Sequence, residues 1–332
     1  MDINCNTGQC IKTGEILRKF QIRKDFIQRS FLSCNVSPTI KKGAFLVAVA
    51  ICEQTRSLHN LITGSRGWEY IEEVFTELML KEHPLTKPEN FTLYTRSELE
   101  KMLLEVFSPF GDIRYSTLDN IGTRSANLIN LGNFFLQNEY KNVDQLFLKT
   151  DNKLINKGAG LIELLEKTAA FSDPQRKKTM FLYKLLKDAN LYEISDIDNL
   201  APIMDYHMQR VLLRLGCVEI NDKYLINQLR NKQHQATDEP IRSYCIDAMR
   251  IIAEASEHGL MAMNDFFWPH GRSCCHENPV CISQKCSKSP CTLSQITTVP
   301  VHNSCIFEKI CPGKENPDYR NIYEPMVETH FY

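Results

Sequence analysis

Apolar residues recur at helical spacing along most of the chain, and no run of strict two-residue alternation interrupts them. Residues 11–32 set Ile16, Leu17, Phe20, Ile27 and Phe31 against many Lys and Arg, which predicts an amphipathic helix. Pro38 and Gly43 punctuate the next stretch, and the apolar run over 44–62 predicts a largely buried helix. The segment 67–81 carries Trp68, Ile71, Val74, Phe75 and Leu78 on one side. After a loop with Pro84 and Pro88, Ser97 and Glu100 form an expected capping box ahead of Met102, Leu103, Val106 and Phe107. The period returns over 118–138 with Ile121, Leu128, Ile129, Leu131 and Phe134, and short helices are predicted over 143–149 and 159–169. Asp173-Pro174 opens a predicted helix that runs to Asp188. A further helix over 206–215 closes at Gly216. Another starts at Asp238 and Pro240, with Ile241, Tyr244, Cys245, Ala248, Met249 and Ile252 on its apolar face. The predicted class is all-α.

The stretch 268–291, WPHGRSCCHENPVCISQKCSKSPC, departs from this pattern. It holds five of the thirteen cysteines, Cys274, Cys275, Cys281, Cys286 and Cys291, and has almost no apolar residue with which to build a core. A segment of that kind folds around a metal or a cluster. Counted from Cys275 the spacing is C-x5-C-x4-C-x4-C, and counted from Cys274 the first gap is six. Paired C-x2-C knuckles of the usual zinc type are missing, so a [4Fe–4S] cluster held by Cys275, Cys281, Cys286 and Cys291 is expected, with Cys274 as the alternative to Cys275. A disulfide knot is the competing explanation. The 332 residues are 43% hydrophobic and 24% charged, enough for two domains, and the net charge of −1 supplies no global basic field for nucleic acid. The N-terminus shows no charged-then-apolar signal, no apolar run spans a bilayer, and the cysteine count is odd. A soluble, cytoplasmic monomer without membrane contact is expected.

A second informative stretch is PIMDYHMQRVLLRLG, 202–216. Asp205 stands where a helix begins, and His207, Arg210 and Arg214 follow on one face. Asp205 is a good helix cap, and a carboxylate at a helix N-terminus also stays ionised. Such a group suits stabilising a positive centre or deprotonating a nucleophile.

MDYHMQRVLLRLG resembles the V-D-T-H-V-x-R-V-x-x-R-x-G run of the helix-hairpin-helix DNA glycosylases. HGRSCC with its following cysteines resembles the H-G-R-x-x-C opening and cluster loop of their endonuclease III branch, where the gaps are usually six, two and five. Ile51-Cys-Glu-Gln-Thr55 is similar to the helix that carries the family's glutamine, and Ile121-Gly-Thr-Arg-Ser-Ala-Asn-Leu-Ile129 to its I-G…K-A-x-x-I helix. The matches keep the family's order over residues 44–291. The resemblance implies two helical domains: an N-terminal helix, 1–43, joining a catalytic-Asp and cluster domain, 201–296, and a six-helix domain, 44–200. A tail, 297–332, follows with no assigned role.

By the same resemblance the chain is an N-glycosidic-bond hydrolase acting on a damaged or modified base. Asp205 would stabilise the sugar cation, and Lys177 or Lys178 would be the amine of an abasic-site lyase. Gln54 would lie near the flipped base, with Arg176, His207 and Arg272 contributing to the base pocket or DNA contact. His270, Lys285 and Lys288 are the other basic residues of the loop. Two departures qualify the partner. The family's G-x-G-x-K/x-T-A hairpin is here Asp173-Pro-Gln-Arg-Lys-Lys-Thr179 without either glycine, and position 53 is Glu rather than Gln. The substrate is therefore expected to be DNA, or alternatively a hypermodified base or a free nucleoside or nucleotide. The non-enzymatic alternative is an iron–sulfur nucleic-acid-binding protein.

Overall fold

The computed structural model describes residues 2–23, 29–286, 291–298 and 303–331, and most of them are helical. The chain forms two compact units, one from Met1–Phe26 with Ala201–Glu328 and one from Ile27–Leu200 with Thr329–Tyr332. They are called here the terminal unit and the middle unit.

The middle unit is built around the helix Pro38–Ile51. Ser37 caps it by accepting from Ile40 N, and Pro38 occupies the first turn, where no amide donor is needed. Every residue from Ala44 to Ile51 is fully buried, as a helix apolar on all sides must be. Trp68–Leu80, Ile121–Gln137 and Lys177–Asp188 pack around it, and Arg96–Val106 packs on Ile121–Gln137. The capping box sits two residues earlier than the sequence suggests. Thr95 Oγ1 accepts from Glu98 N at 3.3 Å while Thr95 N donates to Glu98 Oε2 at 2.7 Å. That start leaves Leu99 and Leu103 fully buried.

In the terminal unit the helix Thr7–Leu17 lies along Glu239–Ser256. At Gly14 the two backbones come so close that a Cβ would stand 2.8 Å from Ile252 O. Two three-residue strands, Ile3–Cys5 and Val218–Ile220, pair antiparallel, with Ile3 opposite Ile220 and Cys5 opposite Val218. Segments this short show no alternation in a sequence, so they stand as an exception to the all-α expectation. The helix Tyr206–Arg214 packs against Leu260–Ser273.

The helix expected over residues 11–32 is two separate pieces. It ends at Leu17, Arg23 N donates to Ile296 O, and Ser30–Ser33 forms a single turn elsewhere, while Ile27 lies outside the described residues. Leu17 is buried in the terminal unit and Phe31 in the middle unit. One apparent face thus combines residues that serve two cores. Among the described residues no helix is long and apolar enough to cross a membrane.

Candidate active site and thiol centre

Asp205 is the N-cap of Tyr206–Arg214: its backbone is extended and Oδ1 accepts from Met208 N at 3.0 Å. The side chain is only 6% exposed, so the amide and the helix dipole stabilise its charge away from bulk water. Met208, Val211 and Leu212 anchor the helix in the core. Its two arginines reach the cysteine segment. Arg210 Nε donates to Cys275 O at 3.0 Å, Nη2 to Gly271 O at 2.8 Å, and Nη1 pairs with Glu324 at 2.7 Å. Arg214 donates from Nε to Ile322 O at 3.0 Å and from Nη1 to His276 O at 2.6 Å.

The residues WPHGR, expected in a loop, form the last turns of the helix Leu260–Ser273, which continues through Pro269. Gly271 lies where this helix meets the Asp205 helix, and a Cβ there would stand 2.7 Å from His207 O. His207 Nδ1 is 3.1 Å from Arg210 Nη2, and its ring lies beside Tyr206. Arg272 places its guanidinium 4.5 Å from the Trp268 ring centroid, a cation–π contact. Lys285 is exposed, and Lys288 lies outside the described residues.

Cys274 and Cys275 are buried, and Cys281, Cys286 and Cys291 are half-buried. Burial pushes Cys274 up to about 12, with Cys291, Cys286 and Cys275 adding to the effect. Burial and Cys275 likewise raise Cys281. Two further thiols, from the tail and outside the expected ligand set, join this part of the core. Cys305 Sγ is 3.2 Å from His270 Nε2, and Cys311 Sγ donates to Arg214 O at 3.4 Å. Burial pushes His270 down to about 3, so its ring is neutral. A signal for them exists, because Cys305-x5-Cys311 repeats the spacing of Cys275-x5-Cys281.

Among the described residues no three His, Cys, Asp or Glu side chains converge closely enough to share one metal ion. The surroundings nonetheless suit an anionic thiolate centre. Arg214 is 2% exposed, its Nη1 lies 3.9 Å from Cys275 Sγ, and its Nη2 is buried with no hydrogen-bond partner. No described carboxylate pairs with it, and the Tyr323 ring, its centroid 5.1 Å from Cζ, faces the guanidinium in a cation–π contact. Thiolates bound to iron or zinc would supply the counter-charge.

In the middle unit the carbonyls at the end of Pro38–Ile51 have no partners within the helix, and buried cations take them. Arg124, fully buried, donates to Ile51 O and, at 2.8 Å, to Glu53 O. It also binds Asp119 O at 2.8 Å and Asp119 Oδ1 at 2.9 Å. Lys178, 1% exposed, donates from Nζ to Ala50 O at 2.9 Å. Burial pulls its amine down to about 7, against the opposing pull of Cys52 and Glu53. Glu53 is raised by burial, and its Oε2 accepts from Asn127 Nδ2 at 3.4 Å. Gln54 follows in the left-handed region at φ 40°, a strained conformation for a residue with a Cβ.

Lys177 is 8% exposed with Nζ 5.6 Å from the Phe181 ring centroid. Arg176 adopts φ 59°, which glycine would reach at less cost. Asp173 accepts from Gln175 N at 3.0 Å and from Lys177 N at 2.9 Å, fixing this turn. Asp205, His207, Arg272 and the cysteines from 274 to 311 thus belong to the terminal unit, and Gln54, Arg176, Lys177 and Lys178 to the middle unit. Arg124 and Glu53 fall inside the motifs quoted from the sequence, but the sequence gives neither of them a role in a site. A buried arginine in an otherwise polar helix start carries no distinctive spacing. No protein-family model matches the chain, and no curated protein matches it either.

Proposed function

We propose that the chain is an N-glycosidic-bond hydrolase that removes a modified or damaged base from DNA. Asp205 is the carboxylate that stabilises the sugar cation and orients the nucleophile. The observation that carries this reading is the coupling of motifs in the terminal unit. The helix capped by Asp205 holds the H-G-R turn and the cysteine segment through Arg210 and Arg214, at Gly271 O, Cys275 O and His276 O. Motifs that only follow one another in the sequence are therefore joined by hydrogen bonds from a single helix.

The middle unit supplies an amine suited to lyase chemistry. A lysine lowered to about 7 is neutral in a large fraction at physiological pH, as a Schiff-base nucleophile must be. Lys178 is assigned this role rather than Lys177. An iron–sulfur cluster on the cysteines is proposed as a structural group that fixes the fold of this segment. Base release from damaged duplexes, compared between wild type and Asp205→Asn, tests the assignment.

A second reading, action on a free nucleoside or nucleotide, is favoured by the Asp173 turn. The amides of Gln175 and Lys177 already bind the Asp173 carboxylate, so they are not offered to a DNA phosphate. Steeply salt-dependent duplex binding favours the first reading, and base release from a nucleoside without duplex binding favours the second.

A further inference from the structure

A second group of thiols lies in the terminal unit, at the opposite end of the Asp205 helix from its cap. Cys5 ends the first strand, Cys10 lies in the helix Thr7–Leu17, and Cys217 follows the turn that closes the Asp205 helix. Cys5 Sγ and Cys10 Sγ are 3.8 Å apart. Cys10 and Cys217 are buried, whereas Cys5 is half-buried and meets solvent. The Cys217 sulfur is 3.5 Å from Thr13 Oγ1.

The backbone around this pair is fixed without help from either sulfur. Asn6 N donates to Cys217 O at 2.9 Å, and Cys10 N to Asn6 O at 3.0 Å. Asn6 Oδ1 caps the helix by accepting from Gln9 N at 3.0 Å. Gln9 Nε2 in turn donates to Leu215 O at 2.7 Å, at the end of the Asp205 helix. Cys10 Sγ contributes one bond, to Cys217 O at 3.7 Å, and that oxygen keeps the Asn6 amide if the thiol proton is lost. Joining the two sulfurs therefore leaves no buried carbonyl without a donor.

We propose that Cys5 and Cys10 are a redox-modification site, which a low-molecular-weight disulfide converts to an intrachain disulfide. The bond would staple the N-terminal strand and helix that hold the end of the Asp205 helix. Cys5 is the entry point because it is the exposed member of the pair. Its thiolate attacks one sulfur of the oxidant RSSR, forming a mixed disulfide and releasing one RSH after proton uptake. The Cys10 sulfur then attacks Cys5 Sγ and releases the second RSH. Two protein thiols are oxidised to one disulfide, RSSR is reduced to two RSH, and the two thiol protons leave on them. Burial, Cys10 and Asp247 hold Cys5 up to about 12, so thiolate is scarce and the first step is slow. The site thus responds to sustained oxidation rather than to a brief pulse. The inference is independent of the glycosylase reading and of the cluster.

The test treats full-length protein with glutathione disulfide, alkylates the remaining thiols with iodoacetamide and maps the tryptic peptides. Cys5 and Cys10 share the peptide 1–12, and Cys217 lies on 215–223. The expected product is peptide 1–12 without alkyl groups and lighter by two hydrogen atoms. Hydrogen exchange over 215–220 should slow by about threefold or more in the oxidised protein. Its Tm should rise, and Cys5→Ser should lose that rise. Two alkyl groups on peptide 1–12 after prolonged oxidation overturn the proposal, as does a mixed disulfide that stays on Cys5. A cross-link between 1–12 and 215–223 overturns it too, by making Cys217 the partner of Cys10. An equal rise in Tm for Cys5→Ser contradicts the staple. Should that variant fail to fold, the wild-type peptide map and exchange rates decide.

Discussion

The Arg214 guanidinium stands 3.9 Å from the Cys275 sulfur, and no carboxylate among the described residues balances its charge. Arg214→Met removes that charge and also leaves Ile322 O and His276 O without their donor. The bond to Ile322 O is buried, and its loss costs about 1–3 kcal/mol, so a clear fall in Tm is expected. Iron per chain should fall at least twofold as well. A variant that loses stability but keeps its full iron would show that the guanidinium only braces the backbone.

Gly271 tests how the Asp205 helix is positioned. Gly271→Ala places a methyl 2.7 Å from His207 O, and separating two packed helices costs roughly 1–3 kcal/mol. Gly8 is an exposed helical glycine with nothing nearer than Asn6 Oδ1 at 3.7 Å. Gly8→Ala should be neutral or stabilising by up to ~1 kcal/mol. Urea denaturation of both variants checks the contrast, and equal stabilities would mean that the helices do not cross at Gly271.

How far the sequence can be read depends on how local each cause is. The cap at Asp205 is a local event, one carboxylate and one amide three residues on, and the residue order alone makes it legible. So is the helix Trp68–Leu80, whose buried residues follow one period. The division of residues 11–32 is hidden, because hydrophobic spacing does not say which core a residue enters. The turns through Pro269 are hidden too, since packing against the Asp205 helix outweighs the cost of a proline within a helix. Cys305 and Cys311 lie in a tail without periodicity, and their proximity to Cys275 is a long-range fact. Lys178 is a candidate amine by resemblance, but its burial against the end of Pro38–Ile51 depends on tertiary packing.

Lys178 makes two pH-dependent predictions. Only the neutral amine attacks a sugar, so imine trapping by borohydride on an abasic substrate should rise with pH and level off above about 7. Lysine at its ordinary value of about 10.4 would keep gaining through pH 9. Trapping that climbs without a plateau contradicts the assignment, and Lys178→Met should abolish it.

The same shift affects stability. The folded amine releases its proton near 7, while the unfolded one holds it to about 10.4. Between these values the unfolded state binds more protons, so this group makes unfolding less favourable as pH rises. Denaturant titrations at pH 7.5 and 9.5 should show that gain in wild type and a smaller one in Lys178→Met.

The most direct measurement of the central claim is release of free base from a panel of damaged and modified duplexes by wild type and Asp205→Asn. Asn caps a helix as well as Asp, so the variant should keep its fold and metal content. Its base release should fall by about 10²–10⁴, the range for a removed acid–base group. Equal release by the two proteins, or none from any duplex or nucleoside by iron-loaded wild type, contradicts the account.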